Sequence, residues 1–469
     1  MLRPDADQVT KPRGATPYTT LIAIVAALGG LLFGFDTGVI AGAMLFIIPY
    51  FHLGPAEQGL VVSAVTFGAL FGALLAGTLS DTIGRRWTNI VSGLSFVVGA
   101  VCSALAPNVD VLISSRVVIG LAIGLTSVAA PMYISELSPA RRRGTLVSLF
   151  QLTITLGILV SYIVDRSLAP DDAWRWMLGL AFVPGALLVI GMIAMPESPR
   201  WLLKTGAEAA ARAAFSLVRS PDEIEQEIRE IRDDLEHNKP AAWEELLMPG
   251  LRPALLVGVG LAIFQQVTGI NTIIYYAPQI FQVAGLDSAT TALAATIGIG
   301  VVNVLSTLIA IWLVDRVGRK PLLLVGLVGM TVSLAALGVV ERFSSSIDIN
   351  AKSLAPIAVG FIGLYIVCFA FSLGPVVWLM ISEIFPNRAR ARAAAISTAA
   401  NWLFNFLVSL SFPVLQMALG PSLWFLYAAM GVLAFLFIVG YVPETKAKSL
   451  EEISRQWRTE STAGQSTSR

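Results

Sequence analysis

The chain has 469 residues, of which 55% are hydrophobic and only 13% charged. A soluble chain is about a quarter charged, so this apolar excess requires a bilayer and excludes a soluble enzyme, a disordered scaffold and a secreted disulfide module. Lysine and arginine number 32 against 31 acids, a balance that gives no reason to expect a nucleic-acid partner.

Residues 1–17 carry both acids and bases without a cleavage pattern and read as a cytoplasmic tail. Six apolar runs follow, near 18–50, 57–79, 88–106, 111–135, 145–167 and 174–195. Six more lie near 253–283, 289–314, 321–340, 354–382, 393–417 and 421–442. Each is long enough to cross a membrane as a helix, and none alternates as a barrel strand would. The expected fold is an all-α membrane protein of twelve transmembrane helices in two pseudo-symmetric six-helix halves, 18–196 and 253–442. Between them, 197–252 contains "DEIEQEIREIRDDLEH", whose charges recur at helical spacing and predict short cytoplasmic helices; 443–469 is a C-terminal tail. Bases collect after the second, fourth and sixth spans, which places those loops and both termini in the cytoplasm. Cys102 and Cys368 lie in apolar runs and read as small hydrophobes.

The division into halves rests on an internal repeat. "SELSP" with Glu136 returns as "SEIFP" with Glu383, and "PESPR" with Pro196 returns as "PETKA" with Pro443, both at an offset of 247 residues. "DTIGRR" from Asp81 returns as "DRVGRK" from Asp315 at an offset of 234. Duplicated six-helix units are the plan of secondary transporters, which form a midplane site between two rocking bodies.

Asp36 and Arg116 are charges inside otherwise apolar runs, where they are expensive and usually functional. Both fall toward the external half and can meet as a pair. An arginine lowers a carboxylate's proton affinity and loss of the contact raises it, a way to bind and release a proton; a helix-locking ion pair is the alternative. Gln151, Gln265, Gln266, Asn271, Asn303 and Asn401 supply donors and acceptors without charge, as a neutral polyhydroxylated ligand requires. Helical spacing puts two or three of Gln265, Gln266 and Asn271 on one face. Trp378 and Trp402 offer flat apolar faces. Taken singly, each amide serves equally well to bond a neighbouring helix. At the cytoplasmic rim, Asp81, Arg85, Arg86, Glu136 and Arg143 in one half, and Asp315, Arg319, Lys320, Glu383 and Arg388 in the other, can form ion pairs that are individually weak but bias a near-balanced conformational equilibrium. Pro278 and Pro375 predict broken helical hydrogen bonds within spans; glycines in "LGGLLFGF", "GALFGALLAG" and "GLAIG" predict close helix packing.

The motifs "DTIGRR", "PMYISELSPARRRG", "PESPRWLL", "QQVTGINTIIYYAP", "DRVGRKP", "GPVVWLMISEIFP" and "VPETKAKSLEEI" together resemble the sugar porter family of the major facilitator superfamily. The resemblance spans Leu28 to Ile453 and is strongest to bacterial proton symporters for galactose, arabinose and xylose. It implies a monosaccharide–proton symporter working by alternating access in the cell membrane; no cofactor or metal is expected, and a site that lies inside one chain predicts a functional monomer. It implies proton coupling at Asp36 with Arg116 as partner, and sugar binding by Gln151, Gln265, Gln266, Asn271, Asn303, Trp378 and Asn401, with Phe33, Tyr275 and Trp402 lining the cavity. Glu197, Arg200 and Glu444 join the cytoplasmic latch. Thr82 stands where a base is usual and Ile311 where glycine is usual. A facilitative uniporter on the same fold is the alternative, against which Asp36 speaks. A channel would need a continuous polar pore, an ATP-driven pump a GxxxxGK[ST] loop, and an enzyme a catalytic cluster that His52 and His237, both in predicted loops, do not make.

Overall fold

Among the described residues of the computed structural model, twelve helices are long and apolar enough to cross a membrane, the first Pro17–Phe51 and the last Ser422–Tyr441. The structure describes residues 15–139, 142–237, 244–248, 251–343, 351–385 and 387–446, and contains no strand among them. The first half comprises α1 (Ala15–Phe51), α2 (Pro55–Ile83), α3 (Arg85–Ala104), α4 (Val109–Leu137), α5 (Arg143–Leu168) and a sixth span broken into α6 (Trp174–Gly179) and α7 (Phe182–Ala194). Three short helices follow, α8 (Pro199–Lys204), α9 (Glu208–Ser216) and α10 (Pro221–His237). The second half comprises a seventh span made of α11 (Arg252–Val267) and α12 (Ile270–Val283), then α13 (Ala289–Val317), α14 (Arg319–Phe343), a tenth span made of α15 (Ala351–Phe371) and α16 (Leu373–Glu383), α17 (Asn387–Leu419) and α18 (Ser422–Tyr441).

The helices start where the residues permit. Pro55 fills the first turn of α2, where no amide donor is needed, and Glu57 reaches back to the Gly54 N–H at 2.8 Å. Asn108 caps α4 through the Val111 N–H at 3.0 Å, and Ser288 caps α13 through Thr291 at 3.1 Å. Several helices run past the apolar stretch into charged residues, because the backbone continues to satisfy itself beyond the lipid.

Glycine rows set the packing within the first half. Gly30, Gly34, Gly38 and Gly42 form one stripe of α1 at four-residue spacing. A Cβ on any of them would overlap α5, at Phe150 and Thr153, at Ile154, at Ser161 and at Asp165 respectively. Gly68 and Gly72 of α2 interlock in the same way with Gly120 and Gly124 of α4. In lipid, where helices gain little from hiding apolar surface from one another, such close backbone approach is the main adhesive. Large side chains such as Ile190 and Leu436 point outward, 66% and 59% exposed, as a lipid-facing surface requires.

The sequence places the break in the seventh span at Pro278, and the structure moves it. The chain turns at Thr268–Gly269, where Gly269 takes a φ of 93° open to glycine. Pro278 lies inside the continuous helix α12. The tenth span breaks at Ser372, three residues before Pro375, which sits in the first turn of α16 where proline is tolerated.

Candidate functional site

Asp36 of α1 and Arg116 of α4 are 2% and 1% exposed and face each other. Arg116 Nη1 stands 3.4 Å from Asp36 Oδ1 and Nη2 3.5 Å from Oδ2, while Nε donates to the Val61 carbonyl at 2.8 Å. The guanidinium is therefore anchored on α2 and reaches the carboxylate with a long two-pronged contact. An ion pair buried this far is held together by the absence of any competing solvent, and removal of either charge strands the other.

Tyr275 of α12 joins α1 to α17 beside this pair. Its hydroxyl accepts from Asn405 Nδ2 at 3.4 Å and also bonds Thr37, the residue next to Asp36. A closed network of amides lies within the second half. Gln265 Nε2 donates to the carbonyls of Leu373 and Gly374, at 2.8 and 3.3 Å, where the tenth span is broken. Gln265 Oε1 accepts from Asn401 at 2.7 Å and from Gln266 at 3.3 Å; Gln266 donates to Asn401 Oδ1 at 3.2 Å and accepts from Asn271 at 2.7 Å. Helical spacing does not account for this grouping, because the turn at Gly269 separates Gln266 from Asn271; the turn itself brings the two amides together.

The other predicted residues come from α1, α5, α13, α16 and α17. Trp402 is buried and its ring lies 5.3 Å from that of Phe33 on α1, with the indole N–H buried and without a hydrogen-bond partner. Such a donor costs free energy until a ligand or water accepts from it. Trp378 lies one turn beyond Gly374 on α16 and is 38% exposed. Asn303 is buried on α13 and Gln151 half-buried on α5, two helices that pack together where Leu159 and Tyr162 lie against Gly300. Thr37, Asn405 and Tyr162 are polar members of this region that the sequence did not single out. Asp165, fully buried with one oxygen accepting from the Gly42 N–H at 3.2 Å, is another.

At the basic end the repeat becomes structural. Arg85 pairs with Glu136 at 3.0 Å and Arg319 with Glu383 at 2.9 Å. Glu197 accepts from the backbone of Arg85 and Arg86, both at 3.0 Å, and Glu444 from Arg319 at 3.1 Å and Lys320 at 3.0 Å. Ser198 bonds Glu136, and Thr445 bonds Glu383 at 2.5 Å. Arg86 reaches the Met192 carbonyl at 3.0 Å and Lys320 the Val439 carbonyl at 3.1 Å. Each half thus carries one clamp in which a glutamate after the last span caps the third helix. Asp81 pairs with Arg85 and with Lys204, at 3.1 and 2.9 Å. Among the described residues, none of these ion pairs joins one half to the other. Arg200 belongs to the short helices, where it pairs with Asp234, and Arg143 stands exposed at the start of α5. The side chains of Asp315 and Arg388 lie outside those described.

The two clamps differ electrostatically. Burial pushes the Glu197 carboxyl above the ordinary glutamate range despite donors from Ser198, Arg86 and Arg85. At Glu444 burial acts in the same direction, but the N–H groups of Lys446, Arg319, Lys320 and Thr445 outweigh it and hold the carboxyl below that range. A lowered value stabilises the fold above the ordinary glutamate pKa and the gain disappears as pH falls through the lowered one; a raised value has the opposite sign, opposing the fold at neutral pH and relieved on acidification. Glu444→Gln is therefore expected to lower the unfolding temperature at neutral pH, with the difference from wild type vanishing on acidification. Glu197→Gln is expected to have a smaller or opposite effect. Thermal unfolding in detergent at pH 7 and pH 4 checks both, and equal losses would refute the asymmetry.

A family model described as "Sugar (and other) transporter" matches residues 22–457. The chain belongs to the sugar transporter family. Among its relatives, the galactose-proton symporter of Escherichia coli K12 is 42% identical over 455 residues, covering 96% of this chain and 97% of that one. The D-xylose transporter of Levilactobacillus brevis is 42% identical over 446 residues, covering 94% and 96%. The solved xylose transporter XylE of E. coli, in a partially occluded inward open conformation, superposes with a TM-score of 0.81 at 34% identity, covering 92% of this chain and 99% of that one. This sugar transporter is thus a multi-pass membrane protein of the major facilitator fold, and not an enzyme.

Proposed function

We propose that this sugar transporter is a monosaccharide–proton symporter that imports a hexose or pentose across the cell membrane by alternating access. The observation that carries the reading is the contiguity of two chemistries. The carboxylate of a buried carboxylate–guanidinium pair lies on the same helix as Phe33, one turn away, and Phe33 packs on Trp402, an unsatisfied indole donor next in the chain to Asn401 of the neutral amide cluster. The related galactose-proton symporter and the proton:xylose symporter XylE support it.

Asp36 takes the proton and Arg116 sets its affinity. Protonation removes the charge that holds the guanidinium and frees α1 to move relative to α4. The amides exchange bonds among themselves for bonds to sugar hydroxyls, and Trp402, Trp378 and Phe33 cover the apolar C–H face; Gln151 and Asn303 contribute from α5 and α13. Sugar bound against Tyr275 thereby senses the protonation state one residue from Asp36. Residues 18–196 and 253–442 act as the two rocking halves and 197–252 as the cytoplasmic linker, with 1–17 and 443–469 as cytoplasmic tails. The rim groups Asp81, Arg85, Arg86, Glu136, Arg143, Glu197, Arg200, Asp315, Arg319, Lys320, Glu383, Arg388 and Glu444 form the inner gate, and one chain suffices because the site lies within it.

Uptake of labelled glucose, galactose, xylose and arabinose into proteoliposomes, with and without an inward proton gradient, tests the proposal. Accumulation above the outside concentration that a protonophore abolishes is the expected result. Equilibration indifferent to the gradient would leave a uniporter.

A further inference from the structure

Pro278 has no N–H, so the carbonyl four residues earlier in α12, that of Ile274, loses its helical donor. That carbonyl is nevertheless bonded. The Tyr162 hydroxyl donates to it at 3.0 Å. Tyr162 belongs to α5, in the other half of the molecule; its side chain is 1% exposed and its ring lies against Gly300 of α13. The bond therefore crosses between the halves, in the part of the membrane remote from the basic clamps. The halves also meet where the Tyr275 hydroxyl bonds Thr37 of α1, where Gly59 of α2 sits against the Leu410 carbonyl of α17, and where the Phe67 and Phe406 rings are 5.4 Å apart. Among the described residues, the ion pairs at the basic end, by contrast, do not join the halves. The conformation is one in which the halves meet on the far side.

We infer that Tyr162 is a positioning residue of the outer gate: its hydroxyl replaces the amide donor that Pro278 removes, tying α12 to the first half whenever the outer side is closed. This rests on the alternating-access reading above, and adds a named latch to it. When the outer side opens, the hydroxyl and the carbonyl separate and water must take over from each. A buried neutral hydrogen bond exchanged for water shifts such an equilibrium by about two- to tenfold. The proline is integral to the device, since an alanine there would let α12 satisfy its own carbonyl and make the tie redundant.

The test uses the full chain in proteoliposomes, with Cys102 and Cys368 replaced by alanine and Leu410→Cys as reporter, labelled from outside by a membrane-impermeant maleimide. Tyr162→Phe is expected to raise the labelling rate about two- to tenfold, to lower the half-saturating sugar concentration at the outer face and to raise it at the inner face. A change of the same sign at both faces, or an unchanged labelling rate, would overturn the inference. Pro278→Ala should act in the same direction, and Tyr162→Phe added to it should have little further effect; full additivity would also refute the coupling. If Tyr162→Phe does not yield folded protein, Pro278→Ala alone decides by the same labelling. Labelling does not depend on what is transported, so accelerated labelling in a chain that shows no proton-driven sugar uptake would retain the gate and reject symport.

Discussion

Asp36→Asn is expected to abolish uphill sugar accumulation while leaving sugar exchange intact. Asparagine keeps the size of the side chain and one acceptor oxygen for Arg116, which now stands 3.4 Å from the carboxylate, but cannot gain or lose a proton. The buried guanidinium keeps its bond to the Val61 carbonyl at 2.8 Å, so it is not wholly stranded. At equilibrium one proton per sugar, driven by one pH unit, supports about a tenfold gradient, the equivalent of about 1.4 kcal/mol. Wild type should approach that ratio and the variant should stop at equal concentrations. Counterflow of labelled against unlabelled sugar needs no net proton movement and should proceed within a few-fold of wild type. Accumulation by the variant would remove Asp36 from the coupling step; loss of counterflow would make the pair with Arg116 a structural lock.

The parts of this design that announce themselves in the sequence are those that break a composition rule. Twelve apolar runs and two charges inside them stand out because lipid tolerates so few polar residues. The repeat stands out because its motifs are charged and sit at equivalent helix ends. What stayed hidden are groups whose role depends on the backbone. Glu197 and Glu444 read as latch charges, yet they cap α3 and α14 through main-chain N–H groups that carry no sequence signature. Arg219 of the insert, which no motif singles out, is buried and donates to the Leu137 and Ser138 carbonyls, both at 3.1 Å, closing the C-terminal end of α4. Tyr162, Thr37 and Asn405 lie in apolar surroundings as ordinary uncharged residues. Their significance appears only when a carbonyl orphaned by Pro278, or a hydroxyl beside Asp36, is seen in need of a partner. The break at Gly269 was masked by the nearby proline, whose missing donor is supplied from another helix.

Gln265→Ala carries the second large effect, because this side chain serves the amide network and the broken tenth span at once. Its Nε2 donates to the Leu373 and Gly374 carbonyls and its Oε1 accepts from Asn401 and Gln266. Truncation leaves an amide donor of Asn401 and two carbonyls without that partner, in a buried site where each unsatisfied group costs about 1–3 kcal/mol. Part of that cost falls equally on the empty and loaded protein and does not register in binding. The remainder, one or two bonds to sugar hydroxyls, should raise the sugar dissociation constant about 10- to 100-fold. Calorimetric titration of the detergent-solubilised protein measures it. The proton pair belongs to α1 and α4 and shares no bond with Gln265, so the variant should still accumulate sugar along a proton gradient when the sugar is saturating. A raised half-saturation with retained coupling would place Gln265 on the sugar. Unchanged affinity with a lowered unfolding temperature would reduce the amide cluster to a fastening between α11, α16 and α17 and move the sugar site toward Gln151 and Asn303.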